Sequence, residues 1–353
     1  MSRTLTRARA AVAVAVLLGA LGLTLAALAS GANASRGNAA VNVAAGVVDI
    51  NTDLRLENAA AAGTGIVLTS SGEVLTNNHV IRGATTIRVT DVGNGHTYPA
   101  SVVGYSVAAD VAVLKLRGAS ALTTAAIGDS AGVKVGETIT ALGNAGGSGG
   151  APSAASGNVT ALGRTITASD GRGDAEQLTG LIEINAALRP GDSGGPLVDS
   201  TGQIIGMNTA ASAGYEFSVQ QAGGSGYAIP INRAIALVKQ IDAGQSSATT
   251  HIGQTALLGV SLQFDQGGGY YGDSASPPGA LVASVLQASP AELAGLSAGD
   301  VIVSLDGRVI AAPTTLSYLL VNRSPRSTVH LAWIDQRGST HHATVRLATG
   351  PPE

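Results

Sequence analysis

Short runs of Val, Ile, Leu and Thr, each broken by a turn rich in Gly, Ser or Asn, set the tightest limit on how this chain can fold. They recur at Val47–Ile50, Gly65–Leu68, Glu73–Thr76, Thr86–Val89, Val111–Leu116, Thr138–Leu142, Asn158–Leu162, Ile182–Ile184 and Gln203–Asn208, with turn signals such as Ser71-Gly72 and Gly93-Asn94-Gly95 between them. β-Branched residues suit a pleated, half-buried surface, and regularly spaced short strands without intervening long helices predict antiparallel barrels. One helix is expected in this half, over Ile231–Ile241, where Ile231, Ala234, Ile235 and Val238 share a face. The 48 glycines supply turns in abundance.

At 353 residues the chain is longer than one compact domain needs, which predicts two globular units. Arg3, Arg7 and Arg9 precede an apolar run from Ala10 to Ala29, and Ala32-Asn33-Ala34 follows. That order predicts a signal peptide over 1–34 and export of the mature protein; an uncleaved membrane anchor is the alternative. Ala8 separates Arg7 from Arg9, so the Sec route is expected, not the twin-arginine one. Residues 35–45 read as a flexible mature N-terminus, 46–242 as the first unit and 243–255 as a linker. The second unit, 256–349, alternates strand-like runs (Leu257–Leu262, Ala280–Val285, Asp300–Leu305, Val329–Ile334, Ala343–Leu347) with helices at Pro290–Leu293 and Thr314–Val321, a small α+β pattern. A net charge of −3 gives no electrostatic footprint for nucleic acid, and the lack of cysteine excludes disulfides and thiolate metal sites.

Chemistry concentrates at Gly191-Asp192-Ser193-Gly194-Gly195-Pro196. A serine hydroxyl needs a base to become a nucleophile and donors aimed at the oxyanion it creates. Glycines around Ser193 permit a tight turn in which the N–H groups of Gly191 and Ser193 serve as those donors. Taken alone the motif is also compatible with an ordinary glycine-rich hairpin. Of the six histidines, His79 in Thr76-Asn77-Asn78-His79-Val80 sits just past a strand, where a loop can present it; His96, His251, His330, His341 and His342 lack that setting. His341 and His342 are neighbours on a strand, point to opposite faces, and are expected to be solvated and not metal ligands. Asp110 heads the buried run Val111–Leu116 and can orient the imidazole, although an isolated Asp there would read as a turn residue. The chain order His79, Asp110, Ser193 is that of chymotrypsin-type barrels.

Together with Gly63-Thr64-Gly65, Gly143-Asn144, Ala161-Leu162-Gly163-Arg164 and Gly226-Tyr227-Ala228-Ile229-Pro230, these segments resemble the HtrA (DegP-like) trypsin-fold serine proteases with a C-terminal PDZ domain, closest to the secreted actinobacterial PepA branch. The resemblance implies an all-β double antiparallel barrel followed by a small α+β PDZ domain. It implies a serine endopeptidase acting on unfolded or extended polypeptides, with catalytic His79, Asp110 and Ser193, an oxyanion hole from Gly191 and Ser193, and no metal or other cofactor. Leu188 and Ala211 would wall the S1 pocket, with Thr209 and Ala210 pairing the substrate backbone. No acid stands at the pocket base, so cleavage is expected after Ala, Val or Leu. In the second unit Leu257-Leu258-Gly259-Val260 resembles a carboxylate-binding loop for peptide C-termini, with Leu316, Leu319 and Leu320 along the groove; simple core packing is the competing role for these leucines. Peptide binding there is expected to act on Thr165–Thr179 or Ala211–Ser225.

Three residue choices depart from the family pattern. Asp192 stands where most relatives carry Asn, Asn185 stands where Asp is common, and residues 41–60 contain none of the aromatics that HtrA trimers stack, although the resemblance implies a homo-oligomer. A catalytically quiet peptide-binding module is the rival reading. An esterase or lipase fits less well, since its elbow motif requires an acid and a histidine after the serine.

Overall fold

The computed structural model describes residues 46–55, 59–169, 175–209, 216–217, 226–263, 278–321 and 323–352. The expected leader and mature N-terminus, 1–45, lie outside them. Strands β1 (Val47–Leu54), β2 (Ala59–Thr69), β3 (Glu73–Thr76), β4 (Thr86–Asp91), β5 (Thr97–Ser106) and β6 (Val111–Leu116) form one antiparallel sheet in the order β5-β4-β1-β2-β3-β6. A further β5–β6 pairing closes it into a barrel. A second barrel repeats the design. Strands β7 (Thr138–Gly143), β8 (Ser153–Ser169), β9 (Ala175–Ile184), β10 (Pro196–Asp199), β11 (Ile204–Thr209), β12 (Glu216–Phe217) and β13 (Gly226–Pro230) run in the order β12-β8-β7-β10-β11-β13-β9, and β8–β9 pairing closes that sheet. Among the described strands, closure leaves no long unpaired edge in either barrel.

Each barrel fills its own interior: Ile50, Val67, Val74 and Leu114 in the first, Ile139, Val159, Ile184 and Leu197 in the second. A third apolar cluster joins them. Ile66, Leu75 and Val113 of the first barrel meet Leu142, Ile204 and Ile229 of the second. Helix α2 (Ile231–Asp242), which follows the one-turn helix α1 (Asn78–Ile81), seals that joint with Ile231, Ala234 and Val238 of the expected stripe, with Ile235 half-buried against them and Ile241 extending the face.

The stretch after α2 does not run free between units. Strand β14 (His251–Ile252) adds to β5, pairing His251 with Tyr105 and Ile252 with Gly104. The Tyr105 hydroxyl lies 3.1 Å from Thr255 Oγ1, and the Gly83 N–H donates to the Pro352 carbonyl at 2.8 Å. The second unit packs α3 (Pro290–Ala294) and α4 (Pro313–Val321) on a sheet ordered β16-β17-β18-β20-β21. Those strands are β16 (Val260–Leu262), β17 (Ala280–Val285), β18 (Val301–Leu305), β20 (Thr328–Ile334) and β21 (Thr340–Arg346). The short strand β19 (Arg308–Val309) pairs with β18, and β15 (Thr255–Leu257) pairs with β22 (Ala348–Gly350).

Candidate active site

His79 is carried on α1, in the crossing from β3 to β4, and its side chain is 2% exposed. Its Nδ1 lies 2.9 and 3.0 Å from the two carboxylate oxygens of Asp110, and its backbone N–H donates to Asp110 Oδ1 at 3.0 Å. Asp110 itself adopts φ +52°, a left-handed conformation that non-glycine residues hold only when their surroundings enforce it. The enforcement is visible. The Asp110 carbonyl accepts from Asn77 Nδ2 at 2.9 Å, and Oδ2 accepts from the Thr209 hydroxyl at 3.1 Å. With the His79 backbone N–H and the Thr209 hydroxyl holding it in place, the Asp110 carboxylate is set to accept the imidazole Nδ1–H and so fix its tautomer.

Ser193 is buried, and its loop is pinned carbonyl by carbonyl. The Pro190 carbonyl accepts from Gly146 N–H (2.8 Å), Gly191 from the Thr64 hydroxyl (2.7 Å), Asp192 from Gly195 N–H (3.1 Å) and Ser193 from Thr64 N–H (2.8 Å). In a trans peptide the C=O and the following N–H point opposite ways, so the Gly191 and Ser193 amides face away from Gly146 and Gly195. Among the described residues the Gly191 N–H donates to no acceptor. Gly191 has φ +100°, and a Cβ there would fall 2.1 Å from the Asn144 carbonyl; Gly194 has φ +83°, with the Thr64 carbonyl at the same 2.1 Å. No side chain fits at either place, which is why the motif is spelled with glycine.

Thr64 on β2 brings the halves together. Its hydroxyl also accepts from Asn144 N–H at 2.8 Å, so one first-barrel residue fixes both the nucleophile loop and the 144–150 loop. At the adjacent Gly63 a Cβ would touch both Val80, next to His79, at 2.7 Å and the Ser193 carbonyl at 3.3 Å. The histidine and serine segments thus both pack against Gly63 of β2. Thr64, Asn77 and the Thr209 side chain were not readable as site residues, because each acts across a long stretch of chain.

Leu188 packs against Gly226, where a Cβ would lie 2.8 Å from its Cδ1. Thr209 ends β11; Ala210 and Ala211 lie outside the described residues. Asn185 Oδ1 accepts from Asn158 N–H at 2.6 Å, tying the approach to the nucleophile onto β8. Among the other histidines, His341 stacks on Trp333 and reaches Asp335 at 2.9 Å, His330 lies 3.2 Å from the Thr344 hydroxyl, and His251 packs on Tyr105.

In the second unit Leu257 closes β15, Leu258 is buried, and Gly259 adopts φ +88° with its carbonyl accepting from Leu286 N–H at 2.9 Å. The Leu258 and Gly259 N–H groups donate to no backbone carbonyl among the described residues. Val260 opens β16, which among the described residues pairs only with β17. On α4, Leu316 is fully buried in the core and Leu319 nearly so, which leaves Leu320 as the half-exposed member of the three.

A model of the trypsin-like peptidase domain matches residues 63–207, a span holding His79, Asp110 and Ser193, and a PDZ domain model matches residues 256–345. The chain is 31% identical over 329 residues to the serine protease PepD of Mycobacterium tuberculosis, covering 89% of this chain and 66% of that protein. It is 35% identical over 289 residues to the periplasmic pH-dependent serine endoprotease DegQ of Escherichia coli, covering 81% and 59%. Among solved structures it superposes on the HtrA-type protease AlgW with tripeptide at a TM-score of 0.50 and 27% identity, over 90% of this chain and 98% of that one. The chain belongs to the HtrA family. Its β-rich trypsin-like unit followed by a PDZ domain is the HtrA arrangement anticipated from the motifs. It spans 66% and 59% of the length of the two curated HtrA relatives.

Proposed function

We propose that this chain is an exported serine endopeptidase that hydrolyses peptide bonds in unfolded or extended polypeptides. The observation that carries the reading is the His79–Asp110 contact at 2.9 Å on a segment that packs, with the pinned Ser193 loop, against Gly63. Ser193 Oγ attacks the scissile carbonyl carbon while His79 takes the hydroxyl proton, and the Gly191 and Ser193 amides receive the oxyanion. Collapse breaks the C–N bond, the His79 proton goes to the leaving amine, and a water activated by the same imidazole hydrolyses the acyl-serine ester. Each oxyanion donor lowers the barrier by about 3 kcal/mol, so the shape of one loop sets the rate.

Leu188 and Ala211 wall the S1 pocket in this reading, with Thr209 and Ala210 pairing the substrate backbone as an added strand. The pocket takes Ala, Val or Leu, and a peptide panel with a clear preference for Lys or Arg before the cleaved bond would overturn that. A peptide carboxylate docks on the Leu257–Val260 loop, its chain adding to the edge of β16 that is unpaired among the described residues, beside Leu320, with Leu316 supporting the groove from the core. The DegQ and DegP relatives are named as periplasmic, and an exported location fits the leader. The working boundaries are a protease unit over 46–242, a connector over 243–255 and a PDZ unit over 256–349; a homo-oligomer completes the reading. Comparing casein cleavage by the wild type and Ser193→Ala tests the activity. Loss of cleavage in the variant supports it, whereas equal rates would leave a catalytically quiet peptide-binding module.

A further inference from the structure

Asp192 is an acid, 4% exposed, directly before the nucleophile, and among the described residues it forms no ion pair. Its Oδ2 accepts from the Arg189 backbone N–H at 2.9 Å, and its Oδ1 lies 3.0 Å from Ser153 Oγ at the start of β8. Ser153 Oγ is also 2.9 Å from the Gly143 carbonyl and 3.4 Å from the Ala145 N–H. A hydroxyl has one proton and two lone pairs. With an ionised Asp192, two acceptors compete for that single proton. With a protonated Asp192 every valence is used: the carboxyl donates to Ser153, Ser153 donates to Gly143, and the Ala145 N–H fills the second lone pair. The fit is close, since a Cβ on Gly143 would fall 2.5 Å from both Asp192 Oδ1 and its Cα.

Resting on the protease reading above, we propose that Ser153 and protonated Asp192 are positioning residues, a half-buried hydrogen-bonded chain that locks the oxyanion loop to the 143–147 turn. The link to chemistry is Gly146, whose N–H holds the Pro190 carbonyl and so aims the Gly191 N–H. Slackening at Ser153 frees that turn and lets the Pro190–Gly191 peptide rotate. Burial raises the Asp192 pKa above the usual carboxylate value, and its hydrogen bonds with Arg189 N–H and Ser153 offset only part of the rise. Arg189 on the same loop is the charged side chain acting on it; the strands packed against it present Gly143 and Ser153, neither of which titrates.

The test uses the full chain with Ser153→Ala, Ser153→Thr, Asp192→Ala and Asp192→Asn, reading kcat and KM on fluorescein-labelled casein and thermal unfolding against pH. S153A and D192A are expected to lower kcat about tenfold with KM little changed, with S153T and D192N recovering most of it because each restores the donor. The Tm advantage of D192N over wild type is expected to be largest at alkaline pH and to shrink as pH falls and native Asp192 takes its proton. Wild-type kcat in S153A, or a D192N advantage that does not change with pH, overturns the proposal. If wild type and Ser193→Ala both fail to cleave, the protease reading is what has failed, and the pH-dependent Tm difference still decides whether Asp192 holds its proton against Ser153.

Discussion

Thr209 illustrates how much of the proposed catalytic centre is carried by residues that do no chemistry. Its hydroxyl donates to Asp110 Oδ2 at 3.1 Å in a fully buried setting, so it stabilises the carboxylate that must in turn hold His79. Hydrogen bonds to charged groups are worth about 1.5–3 kcal/mol. Thr209→Val keeps the volume and deletes the donor. It is expected to lower kcat/KM by about tenfold while leaving a folded protein, as steady-state kinetics beside circular dichroism would register. Asp110→Asn should cost far more, about 10⁴ in kcat by the precedent of triad enzymes, because the amide stabilises the wrong imidazole tautomer. Against this background His79, Asp110 and Ser193 were legible because their residue types and chain order are rare in combination. The side-chain roles of Thr64, Ser153 and Thr209 were not, since threonine and serine are common and those roles arise from contacts 127, 39 and 99 residues away.

The elements show the same division between local and long-range information. Glu73–Thr76, Val111–Leu116 and Ala280–Val285 fall where their apolar runs predict, while β5 is invisible in the sequence because Pro99 and Gly104 interrupt it. Both interruptions have structural causes: Pro99 sits opposite Arg88 on β4, and Gly104 lies under the connector. A Cβ on Gly104 would fall 2.7 Å from the His251 carbonyl and 2.8 Å from Ile241. Gly104→Ala is therefore expected to lift β14 off the barrel, raising amide exchange over residues 246–254 while the triad segment keeps its protection. Unchanged exchange would mean that the strand tolerates the displacement. Leu257–Leu262, read as one run, is split at Leu258-Gly259 because Gly259 turns with positive φ, and α1 replaces the loop expected around His79.

Taken whole, the molecule holds several acids partly or fully out of contact with water. Asp49, Glu73, Asp91 and Asp192 all have pKa values raised, first by burial and only partly offset by hydrogen bonds or a nearby lysine. An acid whose folded pKa exceeds its unfolded value binds its proton more tightly when folded, so its destabilising effect is full at neutral pH and fades as pH falls through the raised value. Thermal unfolding is accordingly expected to hold or rise on mild acidification from neutrality, before the hydrogen-bonded Asp129 and Asp335, whose pKa values are lowered, reverse the trend. A Tm that declines steadily from neutral pH would contradict this. The same whole-molecule logic governs PDZ coupling: C-terminal peptides are expected to change turnover, and an unaltered casein rate on their addition would uncouple the two units. The central claim, that two barrels bring His79 and Asp110 to bear on Ser193, is tested most directly by a serine-directed fluorophosphonate with mapping of the modified peptide. Modification at Ser193 alone, abolished in His79→Ala, is the predicted result; modification elsewhere, or none in the wild type, would contradict it.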